Sequence, residues 1–159
     1  MTFPLMASGH EPGGQPEESP RLGNSAGVVL VPFGDVESFT LNGNTSQGLA
    51  TKKHGAQRHE IWRSTIAPGG RTPFHSHSSE ETFVFLKGEG KVIFSKGPGQ
   101  VETNEIIFKA PCTVIAPAGV PHQVVNTGKE PTVQIVVVSI DSAITSIETG
   151  KPMKLPWRL

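Results

Sequence analysis

An all-β fold, a sandwich or barrel of short antiparallel strands, is the class this sequence predicts, and three observations predict it. Short β-prone runs recur between turn residues spaced roughly 8–12 positions apart, about ten runs in all. The 159 residues include 18 glycines and 14 prolines, which suits tight turns better than long helices. Residues of one chemical type also recur two apart, and a strand sends positions i and i+2 to the same face. The length is that of one domain with a real core.

Residues 1–27 carry Pro4, Pro12, Pro16, Pro20 and repeated glycines. Such a segment cannot build a core and is predicted to be an extended arm. The barrel is expected over 28–142 and a short C-terminal extension over 143–159. Residues 28–31 (Val, Val, Leu, Val) read as a strand ended by Pro32, one that could exchange across a dimer interface. Residues 36–41 read as the next strand, closed by Asn42, Gly43 and Asn44. The polar stretch 52–59 places His54 and His59 in solvent. Strands follow at 61–66, 72–77, 81–86 and 91–94, then at 106–108, 113–115 and 122–125, with turns at 67–70, 87–90 and 126–128. Residues 132–140 form the longest apolar run, and both of its parities are apolar, so burial on both faces is expected. Residues 143–148 suit a helical turn. Trp157 is placed to close a cavity mouth or to pack on a neighbouring subunit.

The charge balance narrows the partners. Lys+Arg and Asp+Glu number 14 each, for zero net charge. No basic field points to nucleic acid, and no apolar run is long enough to span a bilayer. The first fourteen residues lack the basic and apolar regions of a cleaved signal, and the lone Cys112 cannot form an intrachain disulfide. A cytoplasmic setting is expected.

The chemistry concentrates in four side chains. His75 and His77 are two apart and share a strand face. Glu81 has the same parity, whereas Glu80 points the other way. His122 arrives on a partner strand after its own turn. Three imidazoles and a carboxylate form a ligand set for one divalent metal. Zinc, iron, manganese, nickel and copper all accept imidazole, and the carboxylate favours the harder ions. Four protein ligands leave a position open for a small molecule. Phe83 and Phe85 follow at ligand parity and would make the cavity apolar, fit for a flat ligand with one acidic group. Thr82 and Gln123 have the opposite parity and are expected outward. Asn126 suits a turn, and Arg71 the surface. No second acid or base stands out, so a binding protein for a small organic acid is the first reading. A metal enzyme such as a dioxygenase or isomerase is the alternative.

Gly69-x5-His75-x-His77-x3-Glu81-x6-Gly88 and Pro117-x-Gly119-x2-His122-x3-Asn126 resemble the two motifs of the cupin superfamily. That resemblance implies a double-stranded β-helix, a jelly-roll barrel with the metal inside. It also implies a homodimer. Residues 66–83 and 121–128 are similar, more closely, to the metal-site segments of the plant auxin-binding protein family. This likeness implies zinc first, with iron, manganese or nickel as the other candidates, and a small aromatic carboxylate bound to it. By the same likeness Thr72, Pro73 and Phe83 line the pocket and Trp62 stands near its wall. Ser64 occupies the position of a pocket glutamine.

Overall fold

A computed structural model describes residues 27–97 and 100–159. Its elements are almost all strands: β1 (Phe39–Leu41), β2 (Asn44–Ala50), β3 (His59–Ile66), β4 (His75–His77), β5 (Glu81–Lys87), β6 (Glu89–Ser95), β7 (Thr103–Lys109), β8 (Cys112–Ala116), β9 (His122–Asn126), β10 (Thr132–Ser139) and β11 (Ile144–Ser146). One sheet runs β1-β2-β3-β10-β5-β8 and the other β11-β4-β9-β6-β7. All pairings are antiparallel. The two sheets face each other as the expected jelly roll, with the core between them. Phe83, Phe85, Val92, Phe108, Val124, Val136 and Val138 are buried there.

The strands form where alternation permits. In β3 every second residue is buried, namely Glu60, Trp62, Ser64 and Ile66. In β5 the buried set is Glu81, Phe83 and Phe85. Turn glycines support the connections: Gly43, Gly69, Gly88 and Gly119 all have positive φ, which glycine adopts without steric cost.

Four local expectations differ from the structure. Residues 28–31 form no strand; Val28, Val29 and Leu30 are exposed. The rest of the expected arm, residues 1–26, lies outside the described residues. A strand unforeseen in the sequence, β2, occupies 44–50, because its inward positions are Asn44, Ser46 and Gly48 and carry no apolar alternation. Residues 143–148 hold strand β11, paired with β4, where a helical turn was expected. Finally, β10 is buried on one face only. Thr132, Gln134, Val136 and Val138 are buried, while Val133, Ile135 and Val137 are half-buried on the outer face. The polar stretch holds a single 3-10 turn, Lys52–His54; His59 is exposed and His54 half-buried.

Candidate metal centre

Three strands carry the four ligand-type side chains to one point. The β4 parity turns His75 and His77 inward, Glu81 opens β5, and His122 opens β9, where it pairs with His75. One donor atom from each lies within 4.8 Å of every other. Around Glu81 Oε2 stand the Nε2 atoms of His122 at 2.6 Å, His77 at 3.3 Å and His75 at 3.8 Å. Glu80 is exposed, while Glu81 is 1% exposed.

The other ring nitrogens orient the imidazoles. His75 Nδ1 lies 2.8 Å from the Pro73 carbonyl and His122 Nδ1 2.9 Å from the Val120 carbonyl. A carbonyl only accepts, so each Nδ1 carries the proton and each Nε2 lone pair faces Glu81 in the neutral ring. His77 Nδ1 sits 3.4 Å from Ser142 Oγ. Its Nε2 is buried with no hydrogen-bond partner among the described residues. A buried imidazole nitrogen left in this way, aimed at a carboxylate and two further imidazoles, fits a metal ligand.

Electrostatics divide the three histidines. Burial lowers the pKa of His77 to about 4, against the attraction of Glu81. Burial also lowers His75. Burial opposes the charge on His122 too, but the hydrogen bond and charge of Glu81 outweigh it and hold His122 above its ordinary value. For Glu81, burial favours the neutral acid, yet the His122 hydrogen bond and the neighbouring imidazoles hold it below the usual carboxylate range. In the absence of metal, Glu81 and His122 thus favour each other's charged form, while burial disfavours the charged form of His75 and His77.

A cavity of about 340 Å³ reaches this cluster, with His75, His77 and Glu81 in its wall. Trp62, Ser64, Thr72, Pro73 and Phe83 also line it. Phe85 does not; it stacks on Phe108 with ring centroids 3.8 Å apart, inside the core. The Thr72 hydroxyl accepts the Val124 N–H at 3.0 Å, which ties β9 to the loop before β4. Asn126 is buried and holds a turn: its Nδ2 donates to the Ile66 and Glu130 carbonyls, and its Oδ1 accepts from Gly128 N–H. Arg71 is exposed. Gln123 and Thr82 are half-buried, off the cavity wall.

The sequence marks Trp157 as a candidate for the cavity mouth but not its partners or the rest of this part of the wall. Trp157 lines the cavity against Trp62, with centroids 5.7 Å apart. Its indole N–H donates to Glu60 Oε1 at 2.9 Å, and Arg158 Nε donates to Glu60 Oε2 at 2.7 Å. Glu60 shares the parity of Trp62, so its inward position was readable; its partners, nearly a hundred residues on, were not. Gln134, Asn44 and Ser46 also line the cavity. Gln134 was hidden in a run read for its valines, although one amide in such a run is itself a signal.

Comparisons with known proteins agree with this picture. Residues 35–147 match the family model described as auxin binding protein. Auxin-binding protein 1 of Arabidopsis thaliana is 42% identical over 88 residues, covering 54% of this chain and 44% of that protein. Auxin-binding protein T85 of Nicotiana tabacum is 42% identical over 90 residues, covering 54% and 47%. Auxin-binding protein 4 of Zea mays is 38% identical over 89 residues, covering 54% and 43%. The chain thus spans about half the length of the curated relatives it matches. Among solved structures, the polyketide cyclase RemF from Streptomyces resistomycificus superposes with a TM-score of 0.61 at 22% identity, covering 76% of this chain and 85% of that one. An oxalate decarboxylase from Lactobacillus farciminis superposes at 0.65 and 23%, covering 73% and 35%. At these identities the two structures speak to the fold alone.

Proposed function

The chain belongs to the auxin-binding protein family of cupins, and from that premise we propose that it binds a small organic acid, aromatic in its body, at a divalent metal. His75, His77, Glu81 and His122 would hold the ion. Zinc is the first candidate, with iron, manganese or nickel behind it. The observation that carries the reading is the convergence of four donor atoms within 4.8 Å, with His75, His77 and Glu81 on the wall of a largely apolar cavity. A bound divalent metal supplies Lewis acidity and an open position for a carboxylate. The protein's own groups do the rest. Pro73 and Val120 carbonyls fix the His75 and His122 rings. Trp62, Phe83 and Trp157 give the ligand an apolar bed and exclude water from it.

Binding without turnover is the better reading. Proton transfer in catalysis needs an acid or base within hydrogen-bond reach of the substrate. Among the described residues, the cavity wall offers only His75, His77 and Glu81, which the metal would occupy, and Lys154, which is exposed. The test is elemental analysis of the purified protein followed by calorimetry with indole-3-acetic acid and benzoate. The expected result is about one metal per chain and acid binding that is lost in metal-free protein and in His75→Ala. A protein that retains no metal, or that binds the acids equally well without it, would sink the reading. Oxygen uptake or product formation on adding an acid would replace it with the enzyme alternative.

A further inference from the structure

The cavity has a second polar end, away from the metal centre. The inner face of the six-stranded sheet is layered. Glu81 pairs with Val138 at the metal level. The next level is apolar, with Val136 paired to both Trp62 and Phe83. The level beyond it is polar: Ser46 pairs with Ser64, and Ser64 with Gln134, across three adjacent strands. All three polar residues line the cavity, as does Asn44.

The hydrogen bonds of this row run one way. Gln134 Nε2 donates to Ser64 Oγ at 3.4 Å, Ser64 Oγ donates to Asn44 Oδ1 at 2.5 Å, and Asn44 Nδ2 donates to Ser46 Oγ at 3.3 Å. The chain of donors sets the amide orientation of Gln134 and leaves its carbonyl Oε1 over. Gln134 is fully buried, and Oε1 has no partner among the described residues. A buried carbonyl without a donor is costly, and native folds rarely tolerate one without a use for it. Leu or Met would fill this position on a barrel wall at no such cost.

We propose that Gln134 Oε1 is a specificity subsite that accepts a hydrogen bond from the far end of the bound acid. The ligand class is thereby narrowed to an aromatic carboxylic acid with a ring N–H or a hydroxyl remote from the carboxylate. Four strand residues separate the Glu81 level from the Gln134 level, about 13 Å along the wall. That span suits an acid built on one ring or two fused rings, its body against Trp62, Val136 and Phe83. The inference rests on the metal-centred binding reading above.

Calorimetry on zinc-loaded protein tests it with two matched pairs. One is 4-hydroxyphenylacetate against phenylacetate; the other is indole-3-acetate against naphthalene-1-acetate, in which the ring N–H is missing. In at least one pair the donor-bearing acid binds about tenfold more tightly, and the pair that responds tells hydroxyl from ring N–H. Gln134→Met, which keeps the length and removes the acceptor, abolishes that preference by weakening only the donor-bearing acid. Equal affinity within both pairs, or a preference that survives in Gln134→Met, overturns the inference alone. Failure of all four acids to bind the zinc-loaded protein overturns the binding reading and this inference with it. Equal affinity within both pairs on the unaltered protein overturns the inference even if Gln134→Met does not fold, and Gln134→Leu then serves as the second variant in which the preference must vanish.

Discussion

His77 makes the centre sensitive to acid. Its pKa of about 4 lies below the ordinary histidine value of 6.5, because burial penalises the imidazolium. The unfolded chain therefore binds a proton at His77 as pH falls below 6.5 while the native state resists until about 4. Stability of the metal-free protein falls across that window by about 3 kcal/mol from this residue alone, and His75 adds in the same direction. The Glu81–His122 pair behaves otherwise. The raised pKa of His122 contributes stability fully below 6.5 and loses it only as pH rises through the folded value. The lowered Glu81 contributes above its unfolded value and is lost only under stronger acid. Neither opposes the fall between pH 6.5 and 4. Thermal melts of metal-free protein should drop steeply in that window, and melts of His77→Phe should be flatter. A flat profile in the unaltered protein would refute the assignment. Metal loading requires the same rings to be neutral, so it weakens in the same direction.

At the level of elements, the C-terminal segment is held to the barrel by one carboxylate. Glu60, 1% exposed on β3, receives Trp157 Nε1 and Arg158 Nε, and also pairs with the outer guanidinium nitrogen of Arg158. Arg158 also donates to the Ser142 carbonyl at 2.7 Å. Beneath Trp157 lies Gly48, where a Cβ would come within 2.7 Å of the indole. This is why β2 escaped a pattern-based reading: its inner positions serve the cavity and the tryptophan, not a hydrophobic core. Glu60→Gln keeps the volume but removes the charge. A loss of about 2 to 3 kcal/mol is expected, at the lower end for a buried pair because the Arg158 side chain remains 25% exposed. Denaturant melts followed by tryptophan fluorescence check it; an unchanged midpoint would mean that Glu60 is no anchor. The misread β11 has a similar cause. Residues 144–146 become a strand because β4 offers them a free edge, a tertiary circumstance.

For the whole molecule, the outer face of the six-stranded sheet explains the doubly apolar β10. Val133, Ile135 and Val137 stand there half-buried beside Ile61 and Val84, with Ile115 58% exposed. One parity of β10 faces the barrel interior and the other supplies an apolar outer wall, of the kind that pairs subunits. A homodimer through this face is expected: light scattering should give twice the 16.9 kDa chain mass, and Ile135→Lys should return the monomer without unfolding it. A monomer at micromolar concentration would count against the dimer. Among the described residues, no helix is long and apolar enough to cross a membrane.

The all-β class and the grouping of His75, His77 and Glu81 were legible in the sequence, because strand parity is a local rule that needs no partner to be read. His122 could be added because its own turn and motif spacing mark it. Tertiary structure alone decided the rest. It set Phe85 on Phe108 and away from the cavity, turned Gln134 inward among valines, and brought Glu60 to Trp157 and Arg158. Each depends on which strand lies beside which, and on what stands across the barrel. Contacts between residues far apart in the chain arise from sheet order and closure, and the alternation within a single strand carries no record of them.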